Sequence, residues 1–285
     1  MTVGIAAISE ANTNDPKVVL SSDRLVTTHQ QSAIEHEHPE TKLTEVGGSL
    51  NNANLVCIIA GGIQLGEEYR TRLEDTIARF VQQNDEEPWL PTVADLAREN
   101  YEVLIQDKID NVVLSSYGLE MEDLSRQHQF KDSFLNDVLA EAEQVEQEIQ
   151  KNLVILVGGV GLTGPAEVGP AIYEISNSNM RPHNQMGYAT IGSGTQPAES
   201  EFIQADYSKR ENVEDTLATV TAANYKATEA RGVGGETDVA IVDATGVETV
   251  DEEMVSDLME IHENIDDEQE EIREKYLSEY DIDWE

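Results

Sequence analysis

The sequence predicts an α+β fold of antiparallel sheets layered against helices, and three observations lead there. Short β-branched runs that end at Asn, Asp, Pro or Gly fill the first third of the chain and return in its second half. Two stretches of helical periodicity follow each group of strands. The order is strands, two helices, strands, two helices, strand. Strand and helix do not alternate one for one, so hairpins with helices on the outer faces suit it better than a doubly wound parallel sheet.

In chain order, TVGIAAIS, KVVLSSDRLV, TKLTEV and ANLVCIIAG read as four strands. At Gly66 the period becomes helical in GEEYRTRLEDTIARFVQQN. After the breaker EEPWLP a second helix, TVADLARENYEVLIQ, begins with Thr92 as its expected N-cap. The acidic stretch GLEMEDLSRQHQFKDSFLNDVLAEAEQVEQEIQ reads as one or two solvated helices, part of an insertion at about residues 106–151. A charged surface is its simplest role, a lid or assembly arm the functional alternative. Strands resume at NLVILVGG, AIYEIS and QMGYATIGSG. Helical segments cover Pro197 to Tyr207 and Val213 to Ala230, and TDVAIVD reads as a buried closing strand. One domain, residues 2–250, is expected, followed by a helical extension over 251–285 that carries 16 acids and 2 basic residues.

Charge narrows the function. The chain has 57 Asp and Glu against 18 Lys and Arg, a formal charge of -39, and no block is basic enough to follow a phosphate backbone. Nucleic acid is excluded as a partner. Such an excess repels itself unless salt shortens its reach, to about 3 Å at 1 M, so a salt-rich cytoplasm is expected. The stretch Met1 to Ile8 lacks a positive n-region, and the apolar run Leu153 to Leu162 is shorter than a membrane span needs, so neither export nor membrane insertion is expected. The lone Cys57, in LVCIIAGG, cannot build a disulfide framework and reads as a packing residue.

Several local motifs fail in context. Gly159, Gly161 and Gly164 spell GxGxxG after a strand, but Pro165, Gly169 and Pro170 forbid the helix that would receive a pyrophosphate; a glycine-rich hairpin is expected. Ser193 lies in GSG, yet Ile191 occupies the first glycine position of a nucleophile elbow. His36 and His38, two apart among carboxylates, could hold a metal on a strand face; without further spaced His or Cys, a solvated loop is expected. No cofactor and no metal are called for.

What remains is the opening threonine. Removal of Met1 beside a small residue would leave Thr2 with a hydroxyl and a free α-amine on one carbon skeleton, a nucleophile carrying its own base. Asp23, Lys42, Gly61 and Ser193 each fall at a strand end or in the turn beyond. Taken singly, Asp23, Arg24 and Lys42 would be surface charges and Gly61 a helix opening. As an ordered set, TVGIAAI, VVLSSDRLVT, PETKLTEV, IIAGG before a helix, YATIGSG and GGETDVAIV resemble the N-terminal-nucleophile hydrolases over most of Thr2 to Asp243. They are most similar to proteasome β subunits and HslV-type peptidases, including stand-alone relatives with a helical insertion.

The resemblance implies a four-layer αββα sandwich and a threonine peptidase or amidohydrolase acting on a peptide or amide through an acyl-enzyme. Thr2 would attack, with its amine as base. Lys42 would keep that amine neutral, Asp23 would hold Lys42, the Gly61 N–H would meet the oxyanion, and Ser193 would bond around the amine. Val26, Ile59 and Ile63 fall where such peptidases wall an apolar side-chain pocket. A homo-oligomer is implied, since the resembled peptidases build rings; the oligomeric state, and whether an ATPase partner feeds it, are left open. One departure stands out. Ala230 and Val233 fall where those subunits carry an Asp and a Ser, with Glu229 the only nearby acid. Two rivals follow: an acyl or peptidyl transferase on the same site, and a non-catalytic scaffold.

Overall fold

A computed structural model describes residues 2–30, 32–37, 41–46, 50, 52–124, 130–162 and 169–279, without the side chains of 26–30, 32–37 and 279. The strands are β1 (Val3–Ser9), β2 (Lys17–Asp23), β3 (Leu25–Gln30), β4 (Ser32–Glu37), β5 (Leu43–Glu45) and β6 (Ala53–Gly61) in the first part. The helices α1 (Ile63–Asn84), α2 (Leu90–Lys108), the single turn α3 (Met121–Leu124) and α4 (Asp132–Asn152) follow. Then come β7 (Leu153–Gly161), β8 (Gly169–Ser176), β9 (Asn179–Pro182), β10 (Tyr188–Gly192), α5 (Thr195–Gln204), α6 (Val213–Ala227), β11 (Thr237–Val242), β12 (Val247–Thr249) and α7 (Glu252–Glu279).

The result is a mixed α+β fold in which every described strand pairing is antiparallel. One five-stranded sheet has the order β10-β1-β2-β11-β12, a second has β5-β6-β7-β8-β9, and β3 and β4 form a separate hairpin. The central strands are apolar on both faces, which is why they read as continuous rather than alternating runs. In β1, Val3, Ile5 and Ala7 face one way, against Phe202, Leu217 and Val220 of α5 and α6. Ala6 and Ile8 face the other way and join Val18, Leu20, Val56, Ile58, Leu156 and Ile172, a core shared by both sheets. The outer face of the second sheet, with Leu55, Cys57, Ile155 and Val157, is covered by Tyr69, Leu73, Tyr101 and Leu104 of α1 and α2.

Element boundaries shift for identifiable reasons. Helix α2 starts at Leu90 after Trp89, with Pro91 inside the first turn, so Thr92 is not its cap. Proline fits there because a first-turn N–H has no intrahelical partner. Likewise α1 begins at Ile63, directly after Gly62, and carries Gly66 within it. The acidic insertion is not wholly solvated: α4 buries Val138 against Val113 and Leu114, and Ile149 against the second sheet's helical core. The expected glycine-rich hairpin is present, with Gly161 of β7 opposite Gly169 of β8; Gly164 and Pro165 lie outside the described residues. His36 sits on β4 rather than in a loop, and His38 lies outside the described residues. Among the described residues, no group of three His, Cys, Asp or Glu could hold a metal ion, and no helix is long and apolar enough to cross a membrane.

Cys57 illustrates the closed core. It is buried between the second sheet and α1, and burial pushes its thiol pKa up to about 12. Native protein should therefore resist a disulfide-exchange reagent at pH 8 and react at one thiol per chain once denatured; a native rate equal to the denatured rate would contradict this packing.

Candidate active site

Thr2 immediately precedes β1, at the edge where β1, β2 and β10 end together. Its carbonyl is pinned from β10: Ser193 Oγ donates to it at 3.3 Å and the Gly194 N–H at 3.4 Å. Gly192, opposite Val3 in the ladder, has φ +91°, and a Cβ there would lie 2.1 Å from the Thr2 carbonyl oxygen. Only glycine permits that approach. Thr2 is thereby buried, with its hydroxyl directed toward the end of β2.

The end of β2 is Asp23, which has no solvent exposure. Its Oδ1 accepts from the Thr2 hydroxyl, from the Val3 N–H at 2.9 Å and from Lys42 Nζ at 3.0 Å. Its Oδ2 accepts from the N–H groups of Leu25 and Gly234, each at 3.1 Å. Five donors thus meet an acceptor-only group, which is how a protein tolerates a carboxylate away from water. Lys42, immediately before β5, donates to Thr2 Oγ1 at 2.5 Å, to Asp23 at 3.0 Å and to the Leu25 carbonyl at 2.6 Å. Those three acceptors match the three protons of an ammonium. The Thr2 hydroxyl therefore lies between a cation that donates to it and an anion that accepts from it. In a site of low local dielectric both interactions are stronger than in water.

The structure brings together four of the residues expected from sequence, Thr2, Asp23, Lys42 and Ser193, with one change of role. Ser193 bonds the Thr2 carbonyl, not its nitrogen. Gly61 ends β6, exposed, with φ +150°, and a Cβ would lie 1.8 Å from the Asn152 carbonyl oxygen. Among the described residues, the hydrogen bonds that gather the other four do not include it. Ile59 packs under α1 with the helix-side core, where its Cγ2 would lie 3.3 Å from a Cβ on Gly66. Ile63 stands 44 % exposed at the start of α1. Val26 lies on β3, its side chain outside the described part.

Two further residues, Gly234 and Arg24, support the site. The segment before β11 does carry apolar Ala230 and Val233, packed into the core beneath α6, but its Gly234 supplies a main-chain N–H to Asp23. Arg24 fastens that segment. Its N–H donates to the Glu236 carbonyl at 2.9 Å, and its guanidinium donates twice to buried Asp238, at 3.0 and 2.5 Å, and once to Glu252 at 3.0 Å. The bonds to Asp238 hold the guanidinium even more firmly charged than usual. A main-chain N–H has no residue signature, so no sequence motif announces Gly234; the run GVGG hints only at tight turns.

No protein-family model matches the chain, and no curated protein matches it in sequence.

Gly192→Ala tests the pinning of Thr2. It forces a side chain into positive φ and against the Thr2 carbonyl, so the protein should lose about 1–3 kcal/mol of stability in denaturant melts. An unchanged midpoint would show that the β1–β10 edge is looser than described.

Proposed function

We propose that Thr2, freed by removal of Met1, is the nucleophile of a cytoplasmic threonine peptidase or amidohydrolase built on the four-layer αββα sandwich of the N-terminal-nucleophile hydrolases. The observation that carries the proposal is the position of the Thr2 hydroxyl between Lys42 Nζ and the buried Asp23 carboxylate. While Met1 is attached, the Thr2 nitrogen is an amide and cannot accept a proton. Once free, that amine is a neutral base on the same residue as the hydroxyl, beside the Asp23 carboxylate that accepts the hydroxyl's hydrogen bond.

In the proposed reaction Thr2 Oγ1 attacks the substrate carbonyl carbon as its proton passes to the α-amine, directly or through water. The resulting oxyanion takes a hydrogen bond from the Gly61 N–H. Collapse of the tetrahedral adduct breaks the amide C–N bond, and the departing amine carries away the proton held on Thr2. Water, deprotonated by the same amine, then cleaves the ester and restores Thr2. Lys42 acts twice: its charge stabilises developing negative charge on Oγ1 and disfavours protonation of the amine. Asp23 positions Lys42, and Gly234 with Arg24 positions Asp23. Ile63, exposed at the start of α1, would wall the apolar side-chain pocket that the resemblance implies.

Lys42→Met keeps the stem and removes the charge. The rate of Thr2 acylation by a small activated acyl probe should fall by about 10²- to 10⁴-fold near pH 7 and recover partly at higher pH, as the amine loses its proton there. Thr2→Ala should not label. A folded Lys42→Met protein that labels as fast as the parent at every pH would remove Lys42 from the mechanism. Products formed with an added amine separate hydrolysis from acyl transfer, and a folded parent that never labels would leave the scaffold reading.

A further inference from the structure

The first half of α7 is docked. Val255 is buried, Leu258 and Met259 pack against the core beneath α6, His262 pairs with Thr221 at 3.1 Å, and Asp266 pairs with Lys226. From Asp267 to Ser278 every residue is exposed, so the helix leaves the body as a free rod about 18 Å long at 1.5 Å per residue. An isolated helical segment of that length is marginal in water, because most helix stability comes from packing an amphipathic face.

An unpacked face is present. Met254, Ile261, Ile265, Ile272 and Tyr276 are all exposed, by 52, 50, 44, 55 and 61 %. At about 100° per residue they fall in one sector about 60° wide, running through the docked and free halves alike. Recurrence at 11 residues (254, 265 and 276; 261 and 272) keeps the row nearly parallel to the helix axis. The docking residues Val255, Leu258, Met259, His262 and Asp266 lie about 40–140° round the helix, Leu258 at the edge of the row, and the row's own residues stay about half exposed beside them. The same rotation sets Glu253, Asp257, Glu260, Glu268 and Glu271 along its other edge. Across α7 there are 12 acids against 2 bases.

We infer that this row is the docking surface for a cationic amphipathic helix of another protein. Its apolar stripe covers Met254 to Tyr276, and its Lys or Arg residues pair with the acidic edge. A second copy of α7 would bring the same acids face to face, which disfavours self-pairing. The inference does not depend on the chemistry of Thr2.

The test is calorimetric titration of the full chain, at about 0.15 M salt where charges more than about 8 Å apart are screened. The probe is a synthetic helical peptide with an Ile and Leu row edged by Lys; the control has the same composition in scrambled order. The variant Ile265→Glu/Ile272→Glu changes two exposed positions, and a melting curve confirms that it folds. The parent should bind the amphipathic peptide one to one, the scrambled peptide at least 10-fold more weakly, and the variant should lose at least 10-fold in affinity, as when anchor residues are removed. Equal binding of both peptides, or a variant that binds like the parent, would reduce the surface to general charge attraction and overturn the inference. So would sedimentation showing a parent dimer that the variant turns into a monomer, because the row would then belong to a second copy.

Discussion

A carboxylate with no access to water must find every one of its partners inside the protein, and Asp23 is such a group. Its partners come from the start of β1, the start of β3, the approach to β5 and the turn before β11. Four chain segments distant in sequence therefore meet in one small volume, and the edge of the first sheet is organised around that meeting. Removing one partner of a buried ion pair typically costs about 3–5 kcal/mol, because the other charge is left uncompensated. The nucleophile candidate and the stability of this sheet edge thus share a single interaction.

The charge balance gives that interaction more weight. With 18 basic residues against 57 acids, cations are scarce, and among the described residues several of them pair along exposed helix faces, such as Arg70 with Glu67 and Glu74 or Arg98 with Glu102. Pairs of that kind contribute little. Lys42 and Arg24 are different, since each is largely shielded and each meets a buried carboxylate, Asp23 and Asp238. Two cations are therefore concentrated at the end of the sheet where Thr2 sits, while the remaining surface stays negative. That arrangement separates a locally compensated site from a strongly anionic exterior, and the acidic, apolar-striped α7 belongs to the exterior.

The sequence disclosed the parts of the fold that burial writes into it. β1, β2, β6, β7, β8, β10 and β11 are legible because their apolar runs serve the inter-sheet core and a helical layer at once. β4, β9 and β12 were not, since EHE, NMRP and VET carry no apolar alternation; they are short or polar strands at a hairpin or sheet edge. At the site, Thr2, Asp23, Lys42 and Ser193 were legible as an ordered set of residue types. Gly234 and Gly192 were not, because what they contribute is an N–H and the absence of a Cβ, visible only once β10, β11 and β1 are neighbours. Ile59 is legible too: alternation with Leu55 and Cys57 puts it on the helix-facing side of β6.

Thr2 as nucleophile rests on one covalent fact that mass spectrometry can establish. Purified protein is treated with an electrophilic acylating inhibitor, its intact mass is recorded, and the adduct is located by peptide mapping. A Thr2 nucleophile predicts a chain lacking Met1 that carries one adduct, on Thr2, and no adduct in Thr2→Ala. Active material that retains Met1, or an adduct located on any other residue, would contradict it.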